Sequence, residues 1–134
     1  MEAYPTDLPA IQWTSSASFF SSPGPALSSI GDGRGNTLLI TTQYSSVPAS
    51  QCAAKACIEK ENWYLPSKDE LYELYINKSK VGNLSDWYWS STAYSPSAPY
   101  DEAYALNVNT AMGGDPFWHY PKSNYTKVRP VRYF

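Results

Sequence analysis

Trp63-Tyr64-Leu65-Pro66-Ser67-Lys68-Asp69-Glu70-Leu71-Tyr72-Glu73-Leu74-Tyr75 carries a complete helix-start signal. The Ser67 hydroxyl can accept from the free N–H groups of a first turn. Glu70, three residues on, can accept from the Ser67 N–H, which gives the reciprocal pairing of a capping box. Pro66 stands just before the cap, where its missing N–H costs nothing, and it biases Leu65 toward extended backbone. Asp69 and Glu70 lie near the positive end of the helix dipole, Lys78 and Lys80 near the negative end. Leu71, Leu74 and Tyr75 recur at helical spacing, with Tyr72 and Ile76 widening the apolar stripe, and Gly82 is placed as a left-handed stop. The stretch therefore reads as an extended entry turning sharply into a helix of roughly four turns.

The 134 residues around it suit one domain, 1–134, with a single core. Aromatic content (16%) is high for a chain with only 16% charged residues, so the abundant Gly, Pro and Ser signify loops rather than disorder. A formal net charge of −2 gives no general affinity for nucleic acid or anionic membrane. No segment is long and apolar enough for membrane insertion. Met1 to Asp7 has neither a basic nor an apolar leader region, so no secretory signal is visible. The expectation is a cytoplasmic protein, a virion component, or a domain cut from a longer chain.

Cys52 and Cys57, if they share a helix, stand about 7.5 Å apart along the axis and roughly 140° around it. That pair cannot close a disulfide without distortion and has no third metal ligand nearby, so both read as buried thiols.

Outward from the capped helix, residues 1–30 read as an N-terminal extension and first strand: a proline-rich surface segment, a short strand at Ile11–Thr14, and a serine-rich run anchored by Phe19 and Phe20. Gly31-Asp32-Gly33-Arg34-Gly35-Asn36-Thr37 lacks the spacing of a dinucleotide fingerprint, the lysine of a phosphate loop and the later carboxylates of a calcium loop; it reads as a glycine-permitted turn. Asn36 to Ile40 opens a helix or forms a short strand. Val47 to Lys60 reads as a helix with a face of small residues, Ala49, Cys52, Ala53, Ala56 and Cys57. Trp87 to Ser91 reads as a strand and Tyr94 to Glu102 as a loop. Ala103 to Asn109 alternates as a half-buried strand, with Tyr104, Leu106 and Val108 inward and Ala103, Ala105, Asn107 and Asn109 outward. Thr126 to Phe134 is a final strand whose Pro130 marks an edge or bulge. A strand, two helices, then short antiparallel strands with long loops make an α+β domain.

Taken together, Trp63–Leu71, Tyr88-Trp89-Ser90-Ser91-Thr92 and Val128-Arg129-Pro130-Val131-Arg132 resemble the C-terminal domain of the Legionella collagen-like adhesin, a family found in bacterial and phage surface proteins. The resemblance covers roughly residues 30–134. It implies a C-type lectin-like fold: paired terminal strands, two helices, and a small antiparallel sheet carrying long loops. It also looks like a variable protein of a diversity-generating retroelement, in which adenine-directed mutagenesis rewrites a ligand-binding region on a fixed scaffold. Residues 91–125, rich in Tyr, Ser, Asn, Asp, Gly and Ala, would be that region. Tyr and Trp also suit a binding surface physically, because they bring large contact area at low entropy cost.

The expected surface comprises Tyr94, Ser95, Ser97, Tyr100, Asp101, Asn107, Asn109, Asp115, Phe117, Trp118, His119 and Tyr120. Phe117 and Trp118 serve either this surface or the core. The expected partner is a protein or glycan receptor on a target cell, and the implied location is a virion or cell surface. His119, the only histidine, matches no catalytic spacing with Ser90, Ser91 or Asp86, so no catalytic residue, metal or cofactor is expected. Glu-Pro-Asn and Trp-Asn-Asp triplets, and with them a calcium-dependent sugar site, are missing. The alternative is a fixed adhesin binding sulfated polysaccharide through Lys122, Lys127, Arg129 and Arg132, although Arg129 and Arg132 also read as partners of carboxylates at the base of the fold.

Overall fold

The computed structural model describes residues 1–15, 24–94 and 100–133. The readings on Phe19, Phe20, Ser95, Ser97 and Phe134 lie outside them. The class is α+β. In chain order come β1 (Glu2–Ala3), β2 (Leu8–Ile11), α1 (Asp32–Gln43), a 3-10 turn (Ala49–Gln51), α2 (Ala53–Ile58), α3 (Lys68–Ile76) and α4 (Lys78–Val81). Then follow β3 (Trp87–Tyr94), β4 (Glu102–Asn107), β5 (Phe117–Pro121), β6 (Thr126–Val128) and β7 (Val131–Arg132). One sheet has the order β2-β6-β3-β4-β5, and β1 pairs with β7 in a second. All pairings are antiparallel except β3 with β6.

The capping box forms as the spacing requires. Ser67 Oγ accepts from Glu70 N, and Glu70 Oε2 accepts from Ser67 N at 2.7 Å. The helix itself is shorter than four turns. Asn77 leaves helical geometry (φ −106°, ψ 18°), its amide donating to Glu73 O, and α4 begins afresh beyond it. Gly82 ends α4 at positive φ, although its ψ of 156° is extended rather than left-handed helical. Tyr72 and Ile76 do not widen the buried stripe; they are 40% and 39% exposed, while Leu71, Leu74 and Tyr75 are buried.

The glycine-rich stretch is a second correction. Only Gly31, left-handed at φ 98°, turns as expected; from Asp32 on the stretch is the start of α1, twelve residues long. A Cβ at Gly33 would overlap the Glu70 carboxylate and stand 2.8 Å from Ser67 N and 2.9 Å from Leu65 O. Glycine is there so that α1 can lie against the capped entry of α3, a tertiary demand that overrides its poor helix propensity. A third correction concerns the cysteines. Cys52 is extended (φ −147°, ψ 111°) and divides the expected Val47–Lys60 helix, because Ala53 N donates across to Gln12 O. Both thiols are free and buried, and burial pushes both pKa values up. Four α-helical segments thus stand among the described residues where two were expected.

The quoted landmarks meet in space. Tyr64 exchanges both backbone bonds with Val131 at 2.9 Å, Ser91 N donates to Pro66 O at 2.7 Å, and Lys68 N donates to Thr92 Oγ1. β3 is the central strand, and a bulge at Ser90–Thr92 is held by Ser90 Oγ, which bonds Tyr104 O and Thr92 N. It is buried on both faces. Trp89 joins Trp13, Ile40, Leu65, Ala103 and Ala105 in one core, while Tyr88 joins Leu71, Leu74, Tyr75, Leu106 and Val108 in the other. Buried indoles find acceptors, Trp13 Nε1 at Ser90 O and Trp89 Nε1 at Ile11 O. The final strand is two short ones, β6 and β7. Arg129-Pro130 lies between them, where the chain passes from one sheet to the other.

Candidate binding surface

β4 is buried on both faces rather than one. Ala103 and Ala105, expected outward, are fully buried, and so is Leu106. The open part is the Tyr104 end of the other face, since α3 packs against Leu106 and Val108 and reaches the Tyr104 end only with its first residue, Lys68.

Register builds the surface. Tyr94 lies opposite Glu102, Tyr104 opposite His119 and Leu106 opposite Phe117. Directly opposed residues share a face, as do residues two apart on a strand, so Tyr94, Glu102, Tyr104, Phe117 and His119 point the same way. Their rings form a continuous run. Tyr94 stacks on His119 with centroids 3.9 Å apart, Tyr94 meets Tyr104 edge-on at 5.3 Å, and Tyr104 meets Phe117 at 6.4 Å. Tyr72 of α3 extends the run from Phe117 at 6.2 Å. Trp118 belongs by register to the opposite face, but β5 is an edge strand and its ring stacks on His119 at 5.0 Å, 57% exposed. His119 Nδ1 bonds Glu102 Oε2, which fixes the imidazole between the two rings. Lys68 Nζ lies 4.3 Å from the Tyr104 centroid and 4.8 Å from that of Phe117. Burial, then the neighbouring Tyr94 and Asp115, pushes the Tyr104 hydroxyl pKa up.

The structure thus brings together Tyr94, Phe117, Trp118 and His119 from the expected set; Ser95 and Ser97 lie outside the described residues, and Tyr100, Asp101, Asn107, Asn109, Asp115 and Tyr120 have other roles. Asn107 and Asn109 shape the turn after β4, and Asp115 the turn into β5, near enough to the Tyr104 hydroxyl to help raise its pKa. Asn107 Oδ1 accepts from Asn109 N, Asn109 Nδ2 donates to Asp86, and Asp115 Oδ1 accepts from Phe117 N. Tyr100 and Asp101 hold Lys122: its Nζ donates to Tyr100 O and its backbone N to Asp101 O. Tyr120 turns to the opposite face, edge-on to Trp87 at 5.0 Å, beside a groove of about 490 Å³ that Tyr125 and Lys127 also line. Residues 91–125 are therefore not one exposed stretch: Ser91, Ala93, Ala103, Ala105, Leu106, Val108 and Lys122 are all buried.

Lys68, Tyr72, Glu102 and Tyr104 belong to the surface but were missing from the expected set. Alternation gave Tyr104 the inward face. The available signal was Lys68 and Tyr72, four residues apart on one side of α3 and both outside its buried stripe. Ser90 and Ser91 are buried and bonded to Tyr104 O and Asn36 Nδ2, and Asp86 is tied to Asn109, so none of them joins His119.

The basic C-terminal residues are occupied within the fold. Lys122 is fully buried, and Lys127 Nζ donates to Ser85 Oγ at 2.7 Å. Arg129, 1% exposed, pairs with Asp7 at 2.8 Å, and Arg132 pairs with Glu2 at 2.8 Å, as expected for cations at the base of the fold.

No protein-family model matches the chain, and no curated protein matches it.

Proposed function

We propose that the protein is a non-enzymatic binding module with a C-type lectin-like architecture, displayed on a virion or cell surface, whose β3–β5 aromatic face engages a receptor on a target cell. The observation that carries this reading is the ring run from Tyr72 through Phe117, Tyr104, Tyr94 and His119 to Trp118. It passes from α3 across one face of the sheet to the edge strand and ends in a tryptophan that is 57% exposed. Contiguous aromatic surface of this kind marks partner sites, and Trp and Tyr dominate binding energy in such sites. Pairing of β1 with β7 and helices packed on a central sheet support the architecture.

The same reading makes the protein a variable protein of a diversity-generating retroelement, with a fixed frame and a changeable face. Support lies in the separation of the two: the capping box, the Tyr64–Val131 bridge and the Arg129–Asp7 pair contain no residue of the aromatic face. The adhesin alternative loses support because two of the four cations it needs, Lys122 and Arg129, are buried, and the other two, Lys127 and Arg132, are already bonded to Ser85 and Glu2. Sequencing the gene and its downstream flank from many genomes of the source population tests the proposal. Substitutions at adenine positions should crowd onto codons 94, 104 and 117–119, spare the buried positions between them, and accompany a near-identical template repeat. Uniform codons without that repeat would reject diversification.

A further inference from the structure

We propose that the aromatic face takes an acidic segment of a protein partner, with Lys68 as the cation that pairs with a partner aspartate or glutamate. The proposal rests on the aromatic face being the binding surface.

Lys68 is the first residue of α3, at the positive end of the helix dipole, where a cation is disfavoured. Helix stability gives no reason for a lysine there. Its side chain is half-buried on Tyr104 and Phe117, and among the described residues its ammonium has no carboxylate or hydrogen-bond partner. The other half-buried or buried cations differ. Lys78 Nζ donates to Val108 O, Lys55 to Ser45 O, Lys127 to Ser85, and Arg129 pairs with Asp7. Ring faces offset part of the cost of withdrawing an ammonium from water, but an anion offsets far more. A cleft of about 360 Å³ opens beside Lys68, bounded by Ser28, Thr92, Tyr94 and Tyr104, with room for one side chain. The hydroxyls of Tyr94 and Tyr104 make no hydrogen bond among the described residues, so both are available to a carboxylate.

Charge around the cleft selects the kind of anion. Glu102 stands on the same face, and Asp69 is exposed next to Lys68 in the chain. A polyanion bearing a charge on every unit would meet these carboxylates as well as the one ammonium. A single acidic side chain flanked by apolar residues matches one cation set among rings.

The test is selection of a random peptide library displayed on phage against the immobilised domain, run on wild type, Lys68→Gln, Lys68→Glu, Lys68→Arg and Trp118→Ala. Wild type and Lys68→Arg should enrich Asp or Glu beside apolar residues. Lys68→Gln should lose that enrichment, and Lys68→Glu should replace it with Lys or Arg. A synthetic consensus peptide should bind Lys68→Gln about 10-fold more weakly than wild type, and changing its acid to the amide should have no further effect on that variant. Acidic enrichment that survives in Lys68→Gln would overturn the assignment. So would binders without acidic residues, and these, if lost in Trp118→Ala, would leave the aromatic face standing as the binding surface. Binders indifferent to both positions, or no enrichment at all, would remove the surface along with the subsite. Heparin binding that Lys68→Gln abolishes, with no acidic peptide selected, would give the cation to a glycan and overturn the peptide assignment.

Discussion

Glu70 is fully buried and its two oxygens serve three segments of the chain. Oε2 accepts from Ser67 N at 2.7 Å, and Oε1 accepts from Gly31 N and from the Tyr133 hydroxyl, both at 2.9 Å. The local cap is thus also the joint between α1, α3 and the C-terminus. Glu70→Ala would leave three donors without an acceptor, and a buried unsatisfied donor costs about 1–3 kcal/mol. Of the three donors only Ser67 N is buried, Gly31 and Tyr133 being open to water, so the variant should lose about 1–3 kcal/mol, read as a lowered urea midpoint. A pair of glycines makes a sharper test. Gly33→Ala meets backbone at 2.8 and 2.9 Å as well as Glu70, and should destabilise by about 1–3 kcal/mol. Gly35→Ala, in the same helix with nothing within 4 Å, should stabilise by about 0.5–1 kcal/mol. Equal effects from the two would show that propensity, not contact with Glu70, governs the start of α1.

Among the elements, β3, β4 and β5 divide frame from surface residue by residue. Trp118 is exposed on an edge strand, so Trp118→Ala should change stability by less than about 0.5 kcal/mol by chemical denaturation. Tyr120 is half-buried, edge-on to Trp87 and packed against the larger core, and Tyr120→Ser should cost about 1–3 kcal/mol. The two residues share a face by register, and the contrast arises because Tyr120 packs on Trp87 while the Trp118 ring turns out over His119 at the sheet edge. A collapse of the fold in Trp118→Ala would place that ring in the core after all. The break at Asn77 also belongs to this scale. Its side-chain amide competes for the Glu73 carbonyl, so α3 ends where its buried stripe of Leu71, Leu74 and Tyr75 ends.

At the scale of the molecule, ion pairs tie the two ends together. Asp7 accepts from Arg129 and from the Tyr88 hydroxyl, and Arg132 pairs with Glu2 across β1 and β7. Asp7→Ala strands a guanidinium that is 1% exposed, and such a loss costs about 3–5 kcal/mol. Alkaline pH probes the whole fold. Burial pushes the Tyr44 and Tyr88 hydroxyls from 10.0 up to about 12. Between those values the folded state holds protons that the unfolded chain has released, so this contribution is whole below pH 10 and is lost as pH rises to 12. Lys122 acts in the opposite sense. Burial, only partly offset by Asp101, lowers it from 10.5 to about 8, so the unfolded chain binds more protons in that interval and stability rises with pH there. Urea midpoints from pH 7 to 12 should show the alkaline fall, and Lys122→Met should abolish the rise between 8 and 10.5 while leaving the fall intact.

The sequence by itself determined what depends on neighbours in the chain. Ser67 and Glu70 make a capping box because they are three residues apart, Tyr88 and Trp89 face opposite ways because they are adjacent on a strand, and Pro130 interrupts pairing wherever it stands. Tertiary structure decided where a residue's environment comes from distant segments. Gly33 sits in a helix because Glu70 must pass within contact distance. Cys52 breaks a helix because Ala53 bonds Gln12. Ala103 is buried because its face of β4 packs in the core with Trp13 and Ile40, and Tyr104 is left open because α3 covers only one end of the other face. Half of the aromatic face was legible as exposed-type residues in β5 and at Tyr94. Lys68, Tyr72 and Tyr104 joined it only when α3 was laid beside the sheet, since no local spacing records which end of a strand a helix will leave uncovered.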